Sequence, residues 1–109
     1  MSTNYYAVKV KPCVFDREIH LGKSSGGWLF CFQEHDDIHT FPQFKKWLET
    51  HVDTGEYVIM DEYEREVSKE ELLELIEHKQ NDERCLSNPD NFTYSKNIDG
   101  YRFKYGDFS

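Results

Sequence analysis

Ser24-Ser25-Gly26-Gly27-Trp28-Leu29-Phe30-Cys31-Phe32-Gln33 decides the fold. The serine–glycine run is a strong turn signal, and the run after it is aromatic and alternating. Trp28, Phe30 and Phe32 fall on one face of a strand, Leu29 and Cys31 on the other. Upstream, Tyr5 to Val10 is β-branched or aromatic at several positions and reads as a strand ending at Pro12, which cannot donate to a ladder. A turn over Cys13 to Arg17 leads to a second short strand, Glu18 to Lys23. The first third of the chain is therefore expected to form a three-stranded antiparallel meander.

Downstream the period changes from two to that of a helix. Thr40 with Gln43 makes a capping box, Pro42 is tolerated in the first turn, and Phe41, Phe44, Trp47 and Leu48 share one face. Asp53-Thr54-Gly55 closes this helix with a residue free to take positive φ. Tyr57 to Met60 is a short apolar strand, with a return through Val67. Ser68 with Glu71 is a second capping box and opens a helix from about Lys69 to Lys79, with Leu72, Leu73, Leu75 and Ile76 as its stripe. Gln80 to Asn91 has no period and reads as a loop. Phe92 to Ser109 reads as a hairpin turning at Asp99-Gly100, with Tyr101, Phe103 and Tyr105 on the returning strand. The expected class is α+β: a small antiparallel sheet, N-terminal meander plus C-terminal hairpin, packed with two short helices in one domain over residues 1–109.

Composition bounds the function. The 109 residues are 38% hydrophobic and 16% aromatic, enough bulk for one modest core. No apolar run reaches the ~20 residues that span a bilayer, and no signal-peptide stretch opens the chain, so the cytoplasm is the expected location and no membrane partner is expected. Three widely spaced cysteines, Cys13, Cys31 and Cys85, suit a reducing compartment. Net charge is −8, and −7 of it lies between Asp61 and Glu83. Such a field repels nucleic acid and attracts basic partners.

Chemical motifs are sparse. Gly22-Lys23-Ser24 lacks the upstream glycine of a phosphate loop, since Arg17 stands there, and it runs into a strand rather than a helix. Cys31, His35 and His39 fall four apart, and Cys13 with His20 is another possible ligand pair; strand and loop placement argues against a metal site, so no cofactor is expected and zinc is a minor alternative. Cys13 or Cys31 beside a histidine would make a cysteine-dependent enzyme, a further alternative. The acid-rich helix carries the leading expectation. Asp61, Glu62, Glu66, Glu70, Glu74 and Glu77 could bind a partner as a face that imitates a phosphate backbone, without catalysis.

The motif order Asn4-Tyr5-Tyr6, Pro12-Cys13, His20-Leu21-Gly22-Lys23-Ser24-Ser25-Gly26-Gly27-Trp28, Trp47, Asp61-Glu62-Tyr63, and Val67-Ser68-Lys69-Glu70-Glu71 resembles a family of small, uncharacterised bacteriophage and prophage proteins. The resemblance covers roughly residues 4 to 77. It implies a bacteriophage or prophage origin and a cytoplasmic life inside an infected bacterium, and it brings no activity with it. Taken with the missing catalytic set and the localised charge, it leads to the expectation of an accessory protein that binds a host or phage protein, a basic nucleic-acid-binding one if the acidic face imitates a phosphate backbone. Many relatives carry a Cys-x-x-Cys like half a zinc ribbon; here Cys13-Val14-Phe15-Asp16 replaces its second cysteine. A degenerate zinc-ribbon-like module that binds nucleic acid, using Lys9, Lys11, Arg17 and Lys23, is the alternative from another class.

Overall fold

A computed structural model describes residues 2–10, 18–89, 91 and 95–104. Cys13, Asp16, Lys11, Arg17, Phe92, Tyr105 and Phe108, on which some expectations rest, lie outside them. The fold is α+β. In chain order the elements are β1 (Ser2–Lys9), β2 (Glu18–Ser25), β3 (Cys31–Gln33), α1 (Phe41–His51), β4 (Tyr57–Asp61), β5 (Glu66–Val67), α2 (Lys69–Gln80), α3 (Glu83–Leu86), β6 (Lys96–Ile98) and β7 (Tyr101–Lys104).

The strands form one sheet in the order β5-β4-β1-β2-β3-β7-β6. The meander is present as β1-β2-β3, but the sheet is mixed: β3 and β7 run parallel, Phe32 beside Phe103. The C-terminal hairpin thus docks on the free edge of the meander, a long-range choice that no local pattern encodes. Its turn is as expected, with Asp99 and Gly100 at φ 55° and 85°, the left-handed pair of a type I′ connection.

One face of the sheet meets the helices. Tyr5, Ala7, Leu21, Phe30, Phe32, Ile59, Val67 and Phe103 share a buried cluster with Phe44, Trp47 and Leu48 of α1 and Leu72 and Ile76 of α2. Phe32 is its hub. Its ring stacks on Phe103 at 4.8 Å and meets Phe30, Phe41, Phe44 and Tyr101 edge-on.

The residues just before the hub dictate the one across from it. Gly22 pairs with Phe32, and a Cβ there would stand 2.4 Å from Phe30 Cε2 and 2.6 Å from the Cys31 carbonyl oxygen. Just before it the β1–β2 register slips: Tyr5 faces Gly22 but Tyr6 faces His20, leaving Leu21 as an extra, fully buried residue. The motif that invited a phosphate-loop reading is therefore a close-packing glycine beside a β-bulge.

Two expectations on length change. The third strand starts only at Cys31, because side chains claim the backbone before it. Lys79 Nζ donates to the carbonyls of Ser25 (2.6 Å) and Trp28 (2.9 Å), and Leu29 N–H donates to Asn91 Oδ1 at 3.1 Å. The polar loop after α2 contains a short helix, α3, capped by Asp82, whose carboxylate accepts from Arg84 N–H at 2.9 Å. Both capping boxes work on one side: Thr40 and Ser68 accept from Gln43 and Glu71 N–H. Gln43 reaches back to His39 N–H instead of Thr40, and Glu71 pairs with Arg65.

Gly22→Ala should cost about 2 kcal/mol or more, because backbone and a core ring must both yield. Gly26→Ala meets no atom within 4 Å and takes no positive φ, and it should stay within about 0.5 kcal/mol of the parent. Chemical denaturation of the two variants checks the contrast.

Candidate functional site

The six acids singled out from the sequence divide into two groups. Asp61 and Glu62 build structure. Asp61 Oδ1 accepts from Tyr63 N–H (2.9 Å) and Arg65 N–H (3.0 Å), and Oδ2 from Arg65 Nε, closing the β4–β5 turn in which Glu64 sits at φ 63°. These bonds, Arg65 N–H first, hold its carboxyl below the usual carboxylate range. Glu62 Oε1 accepts from the backbone and side-chain amides of Asn4, which orients Asn4 Oδ1 to accept from His20 Nε2 at 2.9 Å.

Glu66 is exposed on β5, in register with Met60. Glu70, Glu74 and Glu77 are exposed on α2. Of these, Glu70 lies 3.9 Å from Lys69, whereas Glu74 and Glu77 make no ion pair among the described residues.

Geometry adds what the acidic pattern alone lacked. The four-residue apolar stripe of α2 is wider than its contact with the sheet. Leu72 and Ile76 are fully buried, while Leu73 and Leu75 on either side are only partly covered. Leu75 joins Tyr5, Val67 and Leu72 in lining an open groove of about 660 Å³, and Glu71, Glu74 and Glu77 line it as well. Tyr5 brings a neutral phenol: burial first, then the charges of Asp61 and Glu71, raise its pKa against the opposing pull of Arg65. Glu71 Oε2 accepts from Arg65 Nη2 at 3.0 Å. Sequence reading placed Glu71 in the cap; its spacing of three from Glu74 and six from Glu77 was the available signal for a shared rim.

The metal candidates are dispersed. Among the described residues no three histidine, cysteine or acidic side chains are grouped as a metal would need. His35 Nε2 donates to the His20 carbonyl at 2.7 Å, and Cys31 is buried in the sheet. Burial pushes the Cys31 thiol pKa up, against the pull of Arg102, Lys104 and Lys23, so it is a poor nucleophile at neutral pH.

His39 has a different task. Nδ1 lies 2.6 Å from Glu34 Oε2 and Nε2 lies 2.9 Å from the Asp36 carbonyl. Both partners are acceptors, so the doubly protonated ring suits the site. The Glu34 bond, then the Asp36 bond, raises the His39 pKa, and the same His39 bond, aided by Lys96 at 3.0 Å, lowers that of Glu34 in spite of its burial.

Comparison with protein-family models, curated proteins and solved structures returns no match.

A raised histidine pKa means stability present below the ordinary value and lost as pH rises through the folded one. A lowered carboxylate pKa means stability present above its ordinary value and lost as pH falls through the folded one. Both contributions are in force between about pH 4.3 and pH 6.5. The gap in denaturation midpoint between the parent and His39→Gln should be widest in that window and shrink by about pH 9; a gap independent of pH would count against the pairing.

Proposed function

We propose that the chain is a non-enzymatic accessory protein that binds a basic host or phage protein through the groove of α2. The phage origin and cytoplasmic setting of this reading come from the motif resemblance. The observation that carries the binding mode is the apolar floor of Tyr5, Val67, Leu72 and Leu75 under the carboxylates of Glu71, Glu74 and Glu77. A bare solvated helix face needs no floor. A nucleic-acid mimic needs charge spacing alone, and it gains little from Leu75. Apolar floor with acidic rim fits a segment that offers both: an amphipathic basic helix or strand, whose apolar residues leave water while its lysines and arginines meet the rim.

Direct nucleic-acid binding has one observation of its own. Strand register puts Lys23 of β2 and Arg102 and Lys104 of β7 on the sheet face opposite the helices. The surplus there is small, and three cations fall short of the several phosphate contacts on which such affinity draws.

A synthetic amphipathic Leu/Lys peptide serves as probe, titrated by calorimetry. Glu74→Gln/Glu77→Gln should weaken it about fivefold and flatten its salt dependence, since each exposed pair contributes about 0.5 kcal/mol. Leu75→Ala should weaken it at high salt too. Glu66→Gln and Glu70→Gln, outside the groove, should leave it unchanged. Equal effects from all four acids would return the reading to a diffuse charge effect, and tight binding of a single-stranded oligonucleotide at low salt would favour the sheet face.

A further inference from the structure

The two ends of the α2 groove differ. Tyr5, Val67 and Glu71 line it where α2 begins, His78 and Asn81 where α2 ends. Glu71 to Asn81 spans about 15 Å along the helix, three turns of a docked partner helix.

Tyr5 marks the first end. Its ring packs on Phe30, centroids 6.0 Å apart, and the 8% of the residue left exposed borders the groove. Beyond burial, the charges that act on its hydroxyl are those of Asp61, Arg65 and Glu71, which sets the O–H on the side of the groove rim. The hydroxyl makes no hydrogen bond among the described residues, and it is not sealed from solvent as the Gln80 side-chain oxygen is. A largely buried tyrosine ordinarily finds a partner for its O–H. Here the carboxylates near it are engaged elsewhere, Asp61 with the Tyr63 and Arg65 amides and Glu71 with Arg65 Nη2. The phenol is a donor held at the edge of an apolar floor.

The rim of Glu71, Glu74 and Glu77 repels an anion, so the acceptor that suits this donor is a neutral carbonyl. An extended segment would bring carbonyls but needs a sheet edge to join, and β5, the edge strand beside the groove, is only two residues long. A helix has free carbonyls in its last turn alone, where its dipole is negative. Laid antiparallel to α2, it brings that turn to Tyr5 and to the Arg65 guanidinium, whose side chain is 59% exposed.

We propose that the occupant of the groove is a basic amphipathic helix lying antiparallel to α2, its last-turn carbonyls accepting from the Tyr5 hydroxyl and its cationic side chains reaching Glu74 and Glu77. This deepens the groove reading and rests on it.

The experiment uses the helical Leu/Lys peptide, amidated, carrying a nitroxide on a thioether at one end or the other, bound to the isotope-labelled full chain. The C-terminal label should broaden the amides of Tyr5, Val67 and residues 70–72, and the N-terminal label those of residues 78–81. The reverse pattern, or equal broadening of both ends by each label, would overturn the orientation while leaving the groove reading intact. Tyr5→Phe removes no internal hydrogen bond, so it should keep the denaturation midpoint of the parent and weaken the peptide about fivefold. An unchanged affinity would overturn the role of the hydroxyl. A peptide that fails to bind, or that leaves the residues of the groove unshifted, would remove the groove reading and this proposal with it.

Discussion

Phe32 has no solvent exposure and touches rings from both helix and sheet, and the rest of the molecule is arranged around that fact. A three-residue strand supplies little backbone pairing. What fixes β3 is the ring it delivers: stacking on Phe103 draws in the C-terminal hairpin as a parallel neighbour, and edge-on contact with Phe41 and Phe44 seats α1. Phe30 and the Cys31 carbonyl leave no room for a side chain across from Phe32, so Gly22 is bare, and the β1–β2 register shifts by one residue at Leu21 beside it. Aromatic edge-to-face pairs add to the area they bury, and one such cluster serves a chain too small for a large aliphatic core.

The position of α2 follows from the same economy of contact. Leu72 and Ile76 fill the space the aromatic cluster leaves, and Lys79 at the end of the helix is bonded to the chain leading into β3. Burial lowers the Lys79 pKa, yet two carbonyl acceptors satisfy the ammonium, and Asn91 ties Leu29 to the Cys85 carbonyl beside it. A helix anchored along one narrow line leaves Leu73 and Leu75 half-covered on its two flanks. The groove beside Leu75 and the cavity beside Leu73 are thus the consequence of a four-residue apolar stripe meeting a two-residue contact.

Much of this was legible from residues alone. The capping Thr40 and Ser68, the 3.6 period of Phe44, Trp47 and Leu48, and the Asp99-Gly100 turn are local signals, and each marks the element it should. The parallel pairing of β3 with β7 was not legible, since it joins residues about seventy apart and no local pattern marks Phe32 and Phe103 as neighbours. Nor was the shortening of β3, where a lysine and an asparagine from distant segments replace ladder bonds. For the candidate site, acidity was plain in the sequence but its distribution of labour was not. Asp61 and Glu62 look like Glu74 and Glu77 in one dimension; only the turn around Arg65 and the Asn4 amide show that the first two also hydrogen-bond within the fold. Cys13, Tyr105 and Phe108 fall outside the described residues.

The most direct measurement is the amide chemical-shift footprint of the Leu/Lys peptide on the labelled full chain. Binding through the groove of α2 predicts a continuous patch over Tyr5, Val67 and residues 71–78, with Glu66, Glu70 and the sheet face of Lys23, Arg102 and Lys104 silent. A footprint spread over every acid from Asp61 to Glu83 with Leu72 and Leu75 unmoved, or one centred on the opposite sheet face, would contradict the account.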